Sequence, residues 1–227
     1  MAIPFRTPMS LFVSLARNDV ELARAAVDGG ADALKVHVNV GHRASGNAFG
    51  SVAAEAPAIS SIQELGLPVG LVVGGEDRVT LEEVRAGRAL GVDFFDVYAH
   101  HAPAWYVDEA PEGGAMVAMG HGDPLERAAV LEQMGFAALE ASLAPAEEYG
   151  TPLRSHRLAD LASLAARTNL PLVMPSQHRL TPEDVPALRR AGADAVLIGV
   201  VATGDDPDSV RAATASFRRA IDALPTG

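Results

Sequence analysis

Lys35 is the single lysine of a 227-residue chain, and every other basic residue among its 18 is arginine. It sits in the apolar run ADALKVHVNV (31–40), where an unpaired ammonium would be costly to bury. A recurring register supplies candidate partners. Gly30 opens GADALKVHV, Gly91 opens GVDFFDVYA, Gly135 opens GFAALEASL and Gly192 opens GADAVLIGV. The fifth residue after each glycine is Lys35, Asp96, Glu140 and Leu197 in turn, and two further on come His37, Tyr98, Ser142 and Gly199. An ammonium and two carboxylates at equivalent positions suit proton transfer: Asp96 or Glu140 abstracts, and Lys35 stabilises the anion or donates. Two ionised carboxylates would keep Lys35 protonated, which disfavours a Schiff-base amine unless one carboxyl is protonated or distant.

The elements that must position these residues follow from the same register. Each glycine ends an amphipathic stretch (ELARAAVDG, LEEVRAGRALG, LERAAVLEQMG, PEDVPALRRAG), as a helix closed by a C′ glycine would read. Each then leads into a short run suited to a buried strand. Between them lie LFVSLA (11–16), PVGLVVG (68–74), AMVAMG (115–120) and PLVMP (171–175). Thr80 with Glu83, and Thr181-Pro182-Glu183, read as helix starts. The alternation of strand and helix about eight times, with a weak fourth helix near PAWYVDEA, predicts one (β/α)8 barrel domain over residues 1–227. No Gly-rich dinucleotide fingerprint follows the first strand, which counts against an open doubly wound sheet.

In such barrels alternate strands fill interior layers, and the chemistry gathers at the C-terminal strand ends. Side chains alternate faces along a strand, so Leu34, Val36, Val38 and Val40 suit the helix side, while Ala33, Lys35, His37 and Asn39 point inward. A buried salt network that only fixes the barrel is the competing reading. Such networks contribute little net stability after desolvation, which favours a functional layer. His37, Asn39, Tyr98, His100, His121 and Ser142 are then expected to contact substrate, with His101 and His178 on the same rim. A metal bound by His37, His100 or His121 with Asp96 is the minority reading, because no HxH or HExxH pairing occurs and Lys35 would repel a cation. The glycine-punctuated GHRASGNAFGS (41–51) reads as a lid or clamp, with AEEYG (146–150) a second loop near the site.

Composition narrows the partners. At 48% hydrophobic and 21% charged the chain can build a core. Its net charge of −11 argues against nucleic acid and anionic membranes, yet leaves room for a small phosphorylated ligand held by local amides. There is no cysteine, hence no disulfide, thiolate metal site or cysteine nucleophile. No apolar run has the length of a membrane span, and residues 1–15 lack signal-peptide features, so a cytoplasmic protein is expected. No cofactor is called for, and a homo-oligomer remains open.

The last quarter, PLVMPSQHRLTPEDVPALRRAGADAVLIGVVATGDDPDSVRAA, resembles strands seven and eight of the ribulose-phosphate-binding barrel superfamily. That superfamily includes pentose-phosphate epimerases, acylmannosamine-phosphate epimerases and orotidine-phosphate decarboxylases. The resemblance implies phosphate binding at the turns after these strands. Here these are Ser176-Gln177-His178-Arg179, in place of the usual Gly-Gly pair, and Gly199-Val200. Ser176, Gln177, Arg179, Gly199 and Val200 are therefore the expected phosphate site. KVHVNVGHRASGNAFG also runs in register with the metal-binding strand of pentose-phosphate epimerases, but Lys35 and His37 replace the ligands and GLVVGG lacks the next histidine. The expected activity is proton transfer next to a carbonyl in a small anionic, phosphorylated, sugar-like metabolite. That covers isomerases and epimerases, and carbon–carbon lyases such as aldolases or decarboxylases. A metal-dependent hydrolase using the histidine rim and a non-catalytic ligand-binding barrel are the alternatives.

Overall fold

The structure, a computed structural model, describes residues 3–42 and 44–225. The first half runs β1 (Ser10–Ser14), α1 (Val20–Asp28), β2 (Ala33–His37), α2 (Val52–Gln63), β3 (Val69–Val72), α3 (Leu81–Ala89), β4 (Phe94–Asp96) and α4 (Tyr106–Glu109). The second runs β5 (Met116–Gly120), α5 (Arg127–Gln133), β6 (Ala138–Ser142), α6 (Ser155–Ala165), β7 (Leu172–Pro175), α7 (Val185–Arg190) and β8 (Ala195–Ile198). A single turn, α8 (Val200–Thr203), and the long α9 (Pro207–Asp222) complete it. The eight strands form one parallel sheet in the order β4-β3-β2-β1-β8-β7-β6-β5. Bridges Phe95↔Ala115 and Tyr98↔Ala118 join β4 to β5 and close the ring. This is the expected (β/α)8 barrel. The weak fourth helix is one turn long, as PAWYVDEA suggests.

The glycine register has a simple local cause. Gly30, Gly91, Gly135 and Gly192 all have φ between 78° and 99°, where an L side chain is strained. Each ends its helix with a left-handed residue and delivers the next strand after the same few residues. The phase of the following strand is thereby set, and positions five and seven beyond the glycine face the same way. At Thr80 the helix start is half of what the sequence suggests. The Thr80 hydroxyl accepts from the Glu83 amide at 3.3 Å, but the Glu83 carboxylate turns to Asn39 and to the Val52 amide instead.

Burial separates the two strand faces. Leu11, Val13, Leu34, Val36 and Leu71 pack outward against helix residues such as Leu22, Ile59, Val84, Leu164 and Phe217. The lower barrel interior holds a second apolar cluster that includes Phe12, Ala33, Phe94, Met116, Ala138, Val173, Ala195 and Leu197, with Ile3 among them. It is a packed floor under the charged layer. Phe94 occupies the space a side chain on Gly70 would need: a Cβ there would lie 2.1 Å from the ring.

That contact gives a stability test. Gly70→Ala forces Phe94 out of its place and is expected to cost about 1–3 kcal/mol, the range for overpacked cores. Thermal unfolding should show a Tm lower by several degrees, partly restored by adding Phe94→Leu. An unchanged Tm in Gly70→Ala would contradict this packing of the floor.

Candidate functional site

Directly above the floor, β2, β4 and β6 bring Lys35, Asp96 and Glu140 together, as the glycine register requires. Lys35 Nζ donates to Asp96 Oδ2 at 2.7 Å and to Glu140 Oε2 at 2.5 Å. The three residues are 6%, 2% and 6% exposed, so water does little to screen their charges. Burial works against the Lys35 ammonium, but Asp96 and Glu140 outweigh it and hold its pKa above the usual lysine range. Burial and the neighbouring Glu140 carboxylate push Asp96 up to about 7 against the pull of Lys35. Burial also pushes Glu140 upward, but Lys35 and hydrogen bonds from Asp96, Lys35 and the Ser142 hydroxyl hold it below the usual carboxylate range. The Ser142 hydroxyl donates to Glu140 Oε1 at 2.7 Å. The layer thus carries a fixed cation, a fixed anion and one carboxyl poised near neutrality, a division of roles typical of acid–base sites.

The next inward layer, His37, Tyr98, Ser142 and Gly199, lines a cavity of about 650 Å³ that also reaches Lys35, Asp96 and Glu140. It opens at the C-terminal strand ends, where this fold places its sites. Burial drives the His37 imidazole well below the usual histidine range, and His42 and Lys35 push the same way, so the ring is neutral near pH 7. Its Nε2 lies 3.5 Å from the Ser14 hydroxyl, while His37 Nδ1 and Asp96 Oδ1 have no hydrogen-bond partner among the described residues. Burial, with Tyr149 and Glu140 nearby, raises Tyr98 above the usual phenol range and keeps it a hydrogen-bond donor. Its hydroxyl is joined to Ser142 and Tyr149.

The described parts of the loop after β2, 39–42 and 44–51, are folded down as a roof, and Arg43 lies outside the described residues. Gly41 and Ala48 form a small antiparallel bridge, and Phe49 stacks on His37 with ring centres 4.9 Å apart. His42 lies 4.7 Å from the same ring. Asn18 grips β2 at its end: its amide nitrogen donates to the His37 carbonyl at 2.7 Å, and its oxygen accepts from the His37 amide at 3.1 Å. The same nitrogen donates to Glu55, whose other oxygen accepts from Gly50.

Several expected contacts fall elsewhere. Asn39 lines the cavity, but its amide nitrogen donates to Glu83 at 2.6 Å and is taken up in holding the loop. His121 is exposed, beside the Leu143 carbonyl and outside the cavity wall. Arg179 also lies outside the wall; its backbone pairs with Pro152. His178 is buried against Thr151 and Glu148 rather than on the rim. Ser176, Gln177, Gly199 and Val200 do line the cavity, yet the Gly199 amide already donates to the Ser176 hydroxyl at 2.8 Å. Gln177 is tied to the Ala144 amide and the Tyr149 hydroxyl. His100 lies on the cavity wall, with its ring against Tyr98 and His101. Among the described residues no three His, Asp or Glu side chains converge as a metal site would require. No described helix is long and apolar enough to cross a membrane.

His42, Phe49, Tyr149 and Glu83 enter the sequence reading only as members of the 41–51 and 146–150 loops or as a helix cap, and Asn18 and Arg78 do not enter it at all. All but Asn18 and Glu83 belong to loops folded back over the barrel mouth, whose shape no short-range periodicity records. Glu83 carried a signal as a capping-box partner, for a different bond.

The Asp96 shift has a consequence for stability. Its folded pKa, about 7, lies above the ordinary 3.8, so its contribution is full below pH ~3.8 and is lost as pH rises through about 7. Glu140 has the opposite sign, contributing above its ordinary 4.5 and losing that as pH falls through its lowered folded pKa. Denaturant unfolding across neutral pH should therefore show wild type losing stability relative to Asp96→Asn as pH rises. Parallel profiles would place the Asp96 pKa outside this range.

No protein-family model matches the chain, and no curated protein does. Solved structures do. The thiamine phosphate pyrophosphorylase from Pyrococcus furiosus aligns with a TM-score of 0.66 at 16% identity, over 94% of this chain and 96% of that one. A structure known as native KDPGal aligns at 0.67 and 17%, over 96% and 97%. A mutant tryptophan synthase alpha-subunit from the hyperthermophile Pyrococcus furiosus aligns at 0.70 and 16%, over 95% and 100%. At these identities the likeness is one of fold, and this chain is a (β/α)8 barrel of the TIM-barrel kind.

Proposed function

We propose that the protein is an enzyme that moves a proton next to the carbonyl of a small anionic metabolite, as an isomerase or epimerase or a carbon–carbon lyase. The observation that carries this reading is the Lys35–Asp96–Glu140 layer under an open cavity. Ionised Asp96 takes the proton from the carbon beside the carbonyl. The electron pair of the broken C–H bond moves to the carbonyl oxygen, and the Lys35 ammonium stabilises the enolate. Where the carbon that lost the proton bears a hydroxyl, that hydroxyl's proton passes to the enolate oxygen and Asp96 returns its proton to the former carbonyl carbon. This moves the carbonyl by one position and isomerises the substrate. Protonating the original carbon from the opposite face epimerises it. In a retro-aldol or decarboxylating variant a C–C bond breaks and the same enolate forms. Glu140 holds Lys35 charged, and His37 with Ser142 and Tyr98 orients the substrate. The neighbours whose structures align, a pyrophosphorylase and a synthase subunit among them, support an enzyme without naming the reaction. The raised Lys35 pKa favours this acid–base scheme over a Schiff base.

Deuterium incorporation from D2O into candidate ketose phosphates and 2-oxo acids, followed by NMR, tests the scheme. Asp96→Asn is expected to slow exchange by about 10²–10⁴-fold, the usual contribution of a general base. Lys35→Ala should fall comparably, whereas full activity in Lys35→Arg would show that Lys35 itself transfers no proton. Absence of exchange with every candidate in the folded wild type would overturn the reading. Because the base must be ionised, kcat/KM should climb as pH rises through about 7 and then level off, and Asp96→Asn should lack that inflection. Borohydride treatment with the same substrates should leave Lys35 unmodified; an adduct there, easily assigned in a chain with one lysine, would replace acid–base chemistry with an imine.

A further inference from the structure

The cavity wall is divided by chemistry as well as by strand. Every cationic or imidazole side chain on it above the Lys35 layer comes from β2–β4 and their loops: His37, His42, Arg78, His100 and His101. The sector formed by β5, β7 and β8 carries no charge above Glu140. Its wall is Ala118, Pro175, Leu197, Val200 and Val201, with short hydroxyl and amide groups between them. The Gly199 amide there is occupied by Ser176, and Gln177 is engaged at both ends of its side chain.

Arg78 is the one guanidinium on the cavity wall among the described residues, and it forms no ion pair with any of them. Glu76 shares its rim, exposed to water and not paired with it. Burial lowers the pKa values of His42 and His101, so near pH 7 these rings offer N–H donors while Arg78 supplies the charge. The unpartnered His37 Nδ1 and Asp96 Oδ1 belong to the same sector, which accordingly has polar groups still to be satisfied. Buried polar atoms of that kind ordinarily have partners.

We propose that the cavity takes an amphipathic anion in one orientation. Its phosphate or carboxylate lies at Arg78 and the neighbouring histidines of the β2–β4 rim, and its apolar part lies against Pro175, Leu197, Val200 and Val201. This rests on the reading above for the carbonyl chemistry, and it names the substrate class: a carbonyl compound charged at one end and apolar at the other. The anion subsite lies on the wall opposite the β7 and β8 turns.

Calorimetric titration of the full chain with hexyl phosphate, hexanoate, butyrate and ribose 5-phosphate tests it. Hexyl phosphate or hexanoate should bind more tightly than ribose 5-phosphate, and the better of the two tells phosphate from carboxylate. Hexanoate should exceed butyrate by about fourfold for each buried methylene. Arg78→Ala should weaken the preferred probe about tenfold or more, as loss of a charged hydrogen bond does, and by more than Ser176→Ala. Val201→Asn should reduce the advantage of the longer chain while leaving a folded protein by circular dichroism. A larger loss in Ser176→Ala than in Arg78→Ala, tighter binding of ribose 5-phosphate, or no binding of either six-carbon anion at millimolar concentration would overturn the proposal. These titrations read binding alone. Arg78-dependent binding without deuterium exchange would leave the subsite standing and remove the reaction; exchange in wild type with no Arg78 dependence would do the reverse.

Discussion

The rest of the site depends on one ammonium held between two carboxylates. Lys35 sits 2.7 Å from Asp96 and 2.5 Å from Glu140 in a layer almost sealed from water. Desolvating three ionisable groups is expensive, and their mutual attraction repays it only with good geometry. One positive charge cannot fully offset two negative ones, so one carboxyl must give way. Ser142 hydrogen-bonds Glu140, whereas Asp96 Oδ1 has no partner among the described residues, and the burden falls on Asp96. Glu140 is held ionised chiefly by Lys35, and the Ser142 hydroxyl adds to that hold.

Around that layer the molecule is graded from floor to mouth. The floor is tightly packed, with Phe94 filling the space left by Gly70. Above the charges, small residues of the odd strands, Ser14, Ala118 and Pro175, leave the room that becomes the cavity. The roof is held by Asn18, Glu55 and Glu83 through hydrogen bonds to backbone and amide groups. These residues have no place on the cavity wall, yet they determine where His37 and Phe49 stand. Such outer contacts commonly limit how well a site is preorganised.

Much of this was legible in the sequence, for a reason tied to range. The barrel, the inward parity of β2 and the grouping of Lys35 with Asp96 and Glu140 all rest on regularities that act over a few residues: helix, left-handed glycine, strand. Each repeats, so four weak signals reinforce one another. What escaped was set by contacts between distant loops. Asn39 reads as an inward polar residue and is one, but its amide is claimed by Glu83, 44 residues away. The turns after β7 and β8 read as a phosphate site, and only three-dimensional contacts reveal that the Gly199 amide is taken by the Ser176 hydroxyl oxygen and the Gln177 side chain by the Ala144 amide and the Tyr149 hydroxyl. His121 and Arg179 sit at the right point of the chain but turn away from the mouth, a matter of side-chain direction that strand spacing does not encode.

The recurring left-handed glycine acts as a frame marker. Because β2, β4, β6 and β8 are each phased from a glycine of their own, irregularities upstream do not accumulate along the chain. α4 is one turn long and α1 more than two, yet Glu140, which follows α4 in the chain, meets Lys35 in the same plane. Helices outside the barrel are thus free to lengthen, shrink or be replaced without misaligning the charged layer, provided the glycine and the residues that follow it are kept. The chemistry is insulated from the architecture that carries it, and the tolerance for change lies on the outside of the barrel.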